Sequence, residues 1–216
     1  MSDAVKSTRR YQSAVRDEAA RQTRRRIRDA AAALFVEQGF VATTMKQVAA
    51  AANVAERTVY LAFPTKAALF EEVVGVAIVG DDLPVPVLER EEVRAALAEH
   101  DGRKALASIV AYSVRLLERA GDLLMAGETS AGADADMRRM SEGGAAKMAS
   151  DMARFAEALA AHGALRPGLD VGRAADILFT VLSPFVHHLL RRRRGVSAED
   201  YGAWLLQTLL DQLLAG

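Results

Sequence analysis

The chain of 216 residues contains no cysteine, only five prolines, and no more than 6% Phe, Trp and Tyr. Without thiols there is no disulfide, no thiolate metal site, no cysteine nucleophile and no thiol-based redox sensing. The scarcity of proline leaves long stretches free to be helical. Few aromatics argue against a cage for a cation, so a cavity here is expected to take a mainly apolar or mildly polar ligand. No run approaches the roughly 20 uninterrupted apolar residues of a membrane-spanning helix, and the opening MSDAVKSTRR lacks the apolar stretch of a secretory signal. These absences point to a cytoplasmic protein without a membrane partner.

What is present begins with 51% hydrophobic residues, enough to bury one sizeable core or two smaller ones. The formal net charge is zero, but it is a sum of opposites. Through Lys66 there are 12 Lys and Arg against 6 Asp and Glu, a balance of +6, whereas the remainder holds 16 against 22, a balance of −6. A basic amino-terminal third joined to an acidic remainder makes nucleic acid the leading partner of the first part.

Ala-, Leu-, Glu- and Arg-rich stretches recur at helical spacing and no strand alternation of any length interrupts them. Residues 1–20, with Arg9, Arg10 and Arg16 and little apolar content, read as a flexible basic arm. A first helix is expected from Arg21 to Gln38, with Ile27, Ala31, Leu34 and Phe35 on one face and Gly39 as its stop. A second spans about Met45 to Ala52 behind Thr43 and Thr44, and a third about Glu56 to Ala62. Pro64 opens a fourth, which runs toward Gly80.

Only Asn53, Val54 and Ala55 separate the second and third helices, so the pair must cross steeply. Val48, Ala49, Ala52, Val54, Val59 and Phe63 are spaced to share a small core, and Asn53 suits a left-handed turn position. Glu56, Arg57, Thr58, Tyr60 and Leu61 are left outward, a mixture able to read base edges and touch phosphates.

The segment GFVATTMKQVAAAANVAERTVYLAFPTKAALFEEV, residues 39–73, resembles the TetR-family DNA-binding signature. The matching positions are Gly39-Phe40, Thr43-Thr44, Val48 to Ala52, Asn53-Val54-Ala55, Tyr60 to Phe63, and Lys66 with Leu69. The later RPGLDVGRAADILFTVLSPFVHHLL, followed by a Trp-containing helix, is similar to the carboxyl end of that family. The resemblance implies an all-α fold with a helix-turn-helix DNA-binding domain at 21–66 and a ligand-binding and dimerisation domain at 67–216. It implies that Thr44 touches a phosphate and that Glu56, Arg57 and Thr58 face bases, with Arg57 the guanine reader. Tyr60 and Lys66 would hold phosphates. Two positions depart from the pattern: Ala55 replaces the usual capping Ser, and Ala62 the usual aromatic or His. Arg24, Arg25, Arg26 and Arg28 serve either as a DNA-facing supplement or as a solvated helix face, and Tyr60 either touches phosphate or packs.

Beyond residue 82 no catalytic constellation, metal-ligand spacing around His100, His162, His187 and His188, or phosphate-cradling loop is found, so neither an enzyme nor a cofactor is expected. Met125, Met137, Met140, Met148 and Met152 crowd one stretch, either as core or as an adaptable cavity lining. Candidate effector contacts are Tyr112, Met125, Met148, Met152, Phe155, Phe179 and His188, with Tyr112 and His188 as polar handles. Helices at about 170–190 and 198–214 carry more apolar surface than one face needs, which implies a homodimer held through Phe185, Trp204, Leu205, Leu209 and Leu213. Arg191 to Arg194 read as cations complementing a helix carboxyl end. The function so implied is a transcriptional repressor released from a pseudo-palindromic operator by a small effector. The alternatives are a small-molecule-binding protein whose DNA head has weakened, and an activator.

Overall fold

Strong helix formers fill most of the chain, and the backbone follows them. In the computed structural model the described residues are 2–81, 83 and 85–215, with side chains from Asp17 onward. Ten α-helices occur among them: α1 (Ser2–Ala42), α2 (Met45–Ala51), α3 (Glu56–Ala62), α4 (Lys66–Val79), α5 (Glu91–Ala98), α6 (Gly102–Ser130), α7 (Ala135–Ala161), α8 (Val171–Val181), α9 (Pro184–His187) and α10 (Ala198–Leu213). No named strand is present among the described residues; one isolated bridge joins Leu165 and Leu214. The chain divides into two compact units, Met1–Val73 and Val74–Gly216, so the division falls within α4.

Residues 2–20 do not stand apart as an arm: their backbone continues α1. Ala and Arg are its commonest helix formers and no Gly or Pro interrupts it, which favours prolonging a helix already nucleated by its buried part. The side chains of Arg9, Arg10 and Arg16 lie outside the described residues. Gly39, at φ +80°, breaks the regular helix where expected. The first unit then closes around Ile27, Ala31, Phe35, Phe40, Val48, Val59, Phe63 and Leu69, all buried. Phe35, Phe40 and Phe70 form an aromatic trio with ring centroids 4.9–5.8 Å apart. Pro64 stands before α4 rather than inside it, and the Thr65 hydroxyl accepts from the Ala68 amide at 3.0 Å as the cap.

The second unit packs α6, α7, α8 and α10 around Leu106, Ile109, Phe155, Leu159, Leu178 and Tyr201. The single helix expected over 170–190 is interrupted. α8 ends at Val181, the Ser183 hydroxyl caps α9, Pro184 occupies its first turn, and a π-helical turn follows over His188–Arg193. Proline at 184 lacks the amide that would continue α8, and the serine before it supplies a new start.

This rerouting carries His187 and Arg191 onto α6. His187 Nε2 lies 3.0 Å from Glu118 Oε1, and Arg191 donates to both Glu118 oxygens at 2.6 and 3.0 Å. Arg192 reaches Asp122 at 2.9 Å. The close approach is possible because position 121 is glycine: a Cβ there would stand 2.6 Å from His187 Nδ1. Arg191 and Arg192 of the run are therefore ion-paired to α6, whereas Arg193 turns to His188.

The Arg191 guanidinium, helped by His187, holds the Glu118 carboxyl at about 2, below its ordinary 4.5. Burial, opposed by Glu118, lowers His187 from its ordinary 6.5. In both cases the unfolded chain binds protons more readily than the folded one, so acid favours unfolding. Urea midpoints followed by circular dichroism are expected to fall below pH 6.5 as His187 resists charging. The unfolding free energy should fall further between pH 4.5 and 2, by up to about 3 kcal/mol from Glu118. Glu118→Gln should flatten that lower limb; an unchanged slope in the variant would remove Glu118 from the account.

Candidate functional site

The first unit is built to present α3. Thr44 caps α2: its hydroxyl accepts from the Gln47 amide at 3.2 Å while the Gln47 side chain takes the Thr44 amide at 2.8 Å. Thr43, fully buried, turns the other way and donates to the Gly39 carbonyl at 2.8 Å, closing α1. Asn53 adopts φ +52°, and the Val54 amide reaches back to Ala49 O at 3.0 Å, the hydrogen bond of a helix ended by a left-handed residue. After this turn α3 begins at Glu56 without a side-chain cap, because Ala55 has no oxygen to offer.

Val59 is the single buried residue within α3. Glu56 and Arg57 are exposed, Thr58 is half-buried, Tyr60 is 48% exposed and Leu61 77% exposed. Tyr60 is thus a surface residue rather than a packing one. Both ends of the crossed pair are tied to α1. The Arg24 guanidinium donates to Ala62 O at 2.7 Å, capping α3, lies 4.1 Å over the Phe63 ring, and pairs with Glu72. Arg28, largely buried, approaches the same carboxylate at 3.6 Å. Arg25 and Arg26 remain exposed. The basic run on α1 is therefore not a wholly solvated face: its first and last members, Arg24 and Arg28, are structural.

Lys66 departs from the phosphate role that the resemblance implies. Its ammonium donates to the carbonyls of Phe40 (2.7 Å), Thr43 (2.9 Å) and Val41 (3.3 Å), and lies 4.2 Å over the Phe40 ring. An ammonium has three N–H donors, and three carbonyls account for them. Lysine spacing alone does not separate these roles; the Gly39 break, which leaves carbonyls unmatched beside it, is the signal that could have.

In the second unit a cleft of about 260 Å³ opens where the end of α4, the start of α5 and the middle of α6 meet. Val79 closes one side, Arg90, Glu91 and Glu92 come from the start of α5, and Tyr112, Arg115 and Arg119 from one face of α6. The lining of this cleft is largely charged. Of the candidate effector contacts only Tyr112 lies on it. Phe155 is buried in the core, Met148 and Met152 pack against that core, and Met125 and Phe179 are half-buried elsewhere. His188 is occupied by Arg193, which donates to its Nε2 at 3.3 Å. Arg90, Arg115 and Arg119 were not singled out by sequence, since Arg on a helix ordinarily marks a solvated face.

The expected dimer residues divide in the same way. Leu205, Leu209 and Leu213 are fully buried in their own unit, so they are core. Phe185, at 51% exposure, and Trp204, at 44%, face outward with Leu189. A helix with apolar residues around most of its girth spends the larger share on its own core, and only the remainder is free.

Two crossed helices on a helical scaffold with a helical body define the class: a helix-turn-helix protein with a separate second unit. The sequence profile described as bacterial regulatory proteins, tetR family, matches residues 27–73. No curated protein matches the chain by sequence. Among solved structures, native NalD of Pseudomonas aeruginosa, the secondary repressor of the MexAB-OprM multidrug efflux pump, superposes with a TM-score of 0.68 at 22% identity, covering 90% of this chain and 98% of that one. A transcriptional regulator from Saccharomonospora viridis in complex with choline gives 0.69 at 17% identity, covering 90% and 99%. A SmeT–triclosan complex gives 0.64 at 19% identity, covering 90% and 92%. The amino-terminal residues 27–73 are thus similar to the tetR family of bacterial regulatory proteins, and over nine-tenths of its length the chain has the fold of these solved structures.

Replacing Lys66 by Met keeps the stem and removes the ammonium, leaving carbonyls unmatched. Urea unfolding should show a loss of about 2–3 kcal/mol. A lysine on phosphate would instead leave stability intact and reduce the slope of DNA affinity against salt by about one; that result would return Lys66 to the DNA face.

Proposed function

We propose that the protein is a homodimeric transcriptional repressor that leaves a pseudo-palindromic operator when a small effector binds its second unit. The observation that carries this reading is α3 itself: one buried side chain, Val59, holds it, its carboxyl end is capped by Arg24, and its remaining surface is open. Arg57 supplies a fork suited to the O6 and N7 of guanine, Glu56 and Thr58 flank it, and Thr44 and Tyr60 meet backbone phosphates. Lys66 keeps this head rigid from within. Exposed Phe185, Leu189 and Trp204 supply the apolar remainder for a two-fold contact, which would set paired recognition helices roughly 34 Å apart.

Release requires an effector that prefers the DNA-incompetent state. Moving the population from almost wholly bound to almost wholly free takes about 10⁴-fold preference, near 5.5 kcal/mol. α4 is the transmitter, since one continuous helix begins at Lys66 under the head and ends at Val79 beside the cleft. That two solved proteins of this fold hold choline and triclosan supports a ligand-responsive body. A weakened DNA head is the second reading, favoured by the uncapped Ala55. A missing cap costs about 1 kcal/mol, too little to dismantle α3 alone. An activator of the same architecture differs only in the sign of a reporter assay.

Two measurements test the reading. With DNA flanking the protein's own gene, Arg57→Ala should weaken binding by about 1–3 kcal/mol and relax specificity at one base position, with an unchanged urea midpoint. Wild-type affinity in this variant, or no binding by the native chain, would leave the weakened-head reading standing. In sedimentation, the native chain should be a dimer at micromolar concentration, and Phe185→Glu with Trp204→Glu should make it a monomer; a native monomer would refute the assembly.

A further inference from the structure

The charged cleft is wired to α4 through one residue. Arg119 Nε donates to Ala77 O and Arg119 Nη2 to Ile78 O, both at 3.2 Å, so this guanidinium caps the last turn of α4. Its neighbours are otherwise engaged. Arg90 grips Asp81 at 2.9 Å and holds the carbonyls of Val85 and Leu83, and Arg115 pairs with Glu92. Among the described residues no carboxylate forms an ion pair with Arg119. It is the one guanidinium of the cleft whose acceptors are neutral carbonyls.

Beside it stands an unsatisfied group. Tyr112 is only 8% exposed, and its hydroxyl has no hydrogen-bond partner in the protein. Burial raises its pKa above the ordinary value, while Arg90, Arg119 and Arg115 oppose that rise and Glu92 adds to it, which places the phenol among these four charges. A buried hydroxyl left unmatched costs about 1–3 kcal/mol, which an acceptor on a ligand in the cleft would recover.

We propose that this cleft is the effector site of the repressor reading above, on which the proposal rests, and that it takes a compact molecule bearing a carboxylate. One carboxylate oxygen accepts from the Tyr112 hydroxyl and the pair accepts from the Arg119 fork. Charge-assisted hydrogen bonds of this kind are roughly twice as strong as those to neutral carbonyls, so the ligand outcompetes Ala77 and Ile78 for the guanidinium. The last turn of α4 loses its cap as the ligand binds. The cleft, at about 260 Å³, limits the ligand's size, and the Glu91 and Glu92 carboxylates disfavour polyanions.

Calorimetry on the full chain, with straight-chain monocarboxylates from acetate to octanoate and with benzoate, each beside its neutral amide and beside inorganic phosphate, tests this. At least one acid should bind about tenfold or more tightly than its amide, and Arg119→Gln and Tyr112→Phe should each abolish that advantage. Tyr112→Phe should melt at the wild-type temperature or above, since its hydroxyl gives up no partner. Equal binding of acids and amides throughout, tighter binding of phosphate than of every acid, or an undiminished preference in Tyr112→Phe would overturn the assignment. Operator release followed alongside separates the two claims. An amide that releases DNA as well as its acid leaves the repressor reading intact and removes the carboxylate; an acid that binds selectively yet leaves the operator complex whole keeps the site and overturns its effector role.

Discussion

A single ammonium group organises the first unit. Where Gly39 turns the chain out of α1, the carbonyls of Phe40, Val41 and Thr43 lose any helical partner, and Lys66 at the start of α4 receives them all. Unmatched carbonyls in so small a core would cost more than the crossed pair of helices could return through its few buried alanines and valines. With them satisfied, the Phe35–Phe40–Phe70 trio packs, α1 and α4 stay together, and α2 and α3 are held between them. The exposed face of α3 depends on this clamp although Lys66 is not part of it.

The second unit relies on a comparable arrangement at greater depth. Glu118 gathers His187, Arg191 and the edge of Arg192, and the π-helical turn brings them there. Partial burial strengthens each contact, and for the same reason leaves His187 Nδ1 and the Tyr201 hydroxyl without partners. Such a cluster fixes register well and stabilises only so long as its members keep their charge states. Where α6 meets the end of α4, polar groups are spent differently: Arg119 caps a helix and Tyr112 satisfies nothing. The first cluster is closed, whereas the second has an opening for a ligand.

Much of the head was legible from residues 39–73, because short-range chemistry governs it. Helix spans for α2 and α3, the Thr44 cap, the left-handed Asn53 and the outward set Arg57, Tyr60 and Leu61 follow from turn preferences and from a spacing that admits one buried face. Less of the body was. Proline 184 split a stretch that periodicity read as one helix, and methionine crowding drew attention to a core rather than to the cleft. Leu205, Leu209 and Leu213 could not be told from Trp204 as interface residues, since all four are apolar on one helix.

By itself the sequence determined the all-helical class, the basic first unit and acidic remainder, and the resemblance of residues 39–73 to the tetR family, since propensity, charge and turn residues act over a few positions. Tertiary structure alone decided which cations are clamps and which are free. Lys66, Arg24 and Arg119 each find backbone carbonyls distant in sequence, and only folding brings such acceptors within 3.3 Å of a chosen side chain.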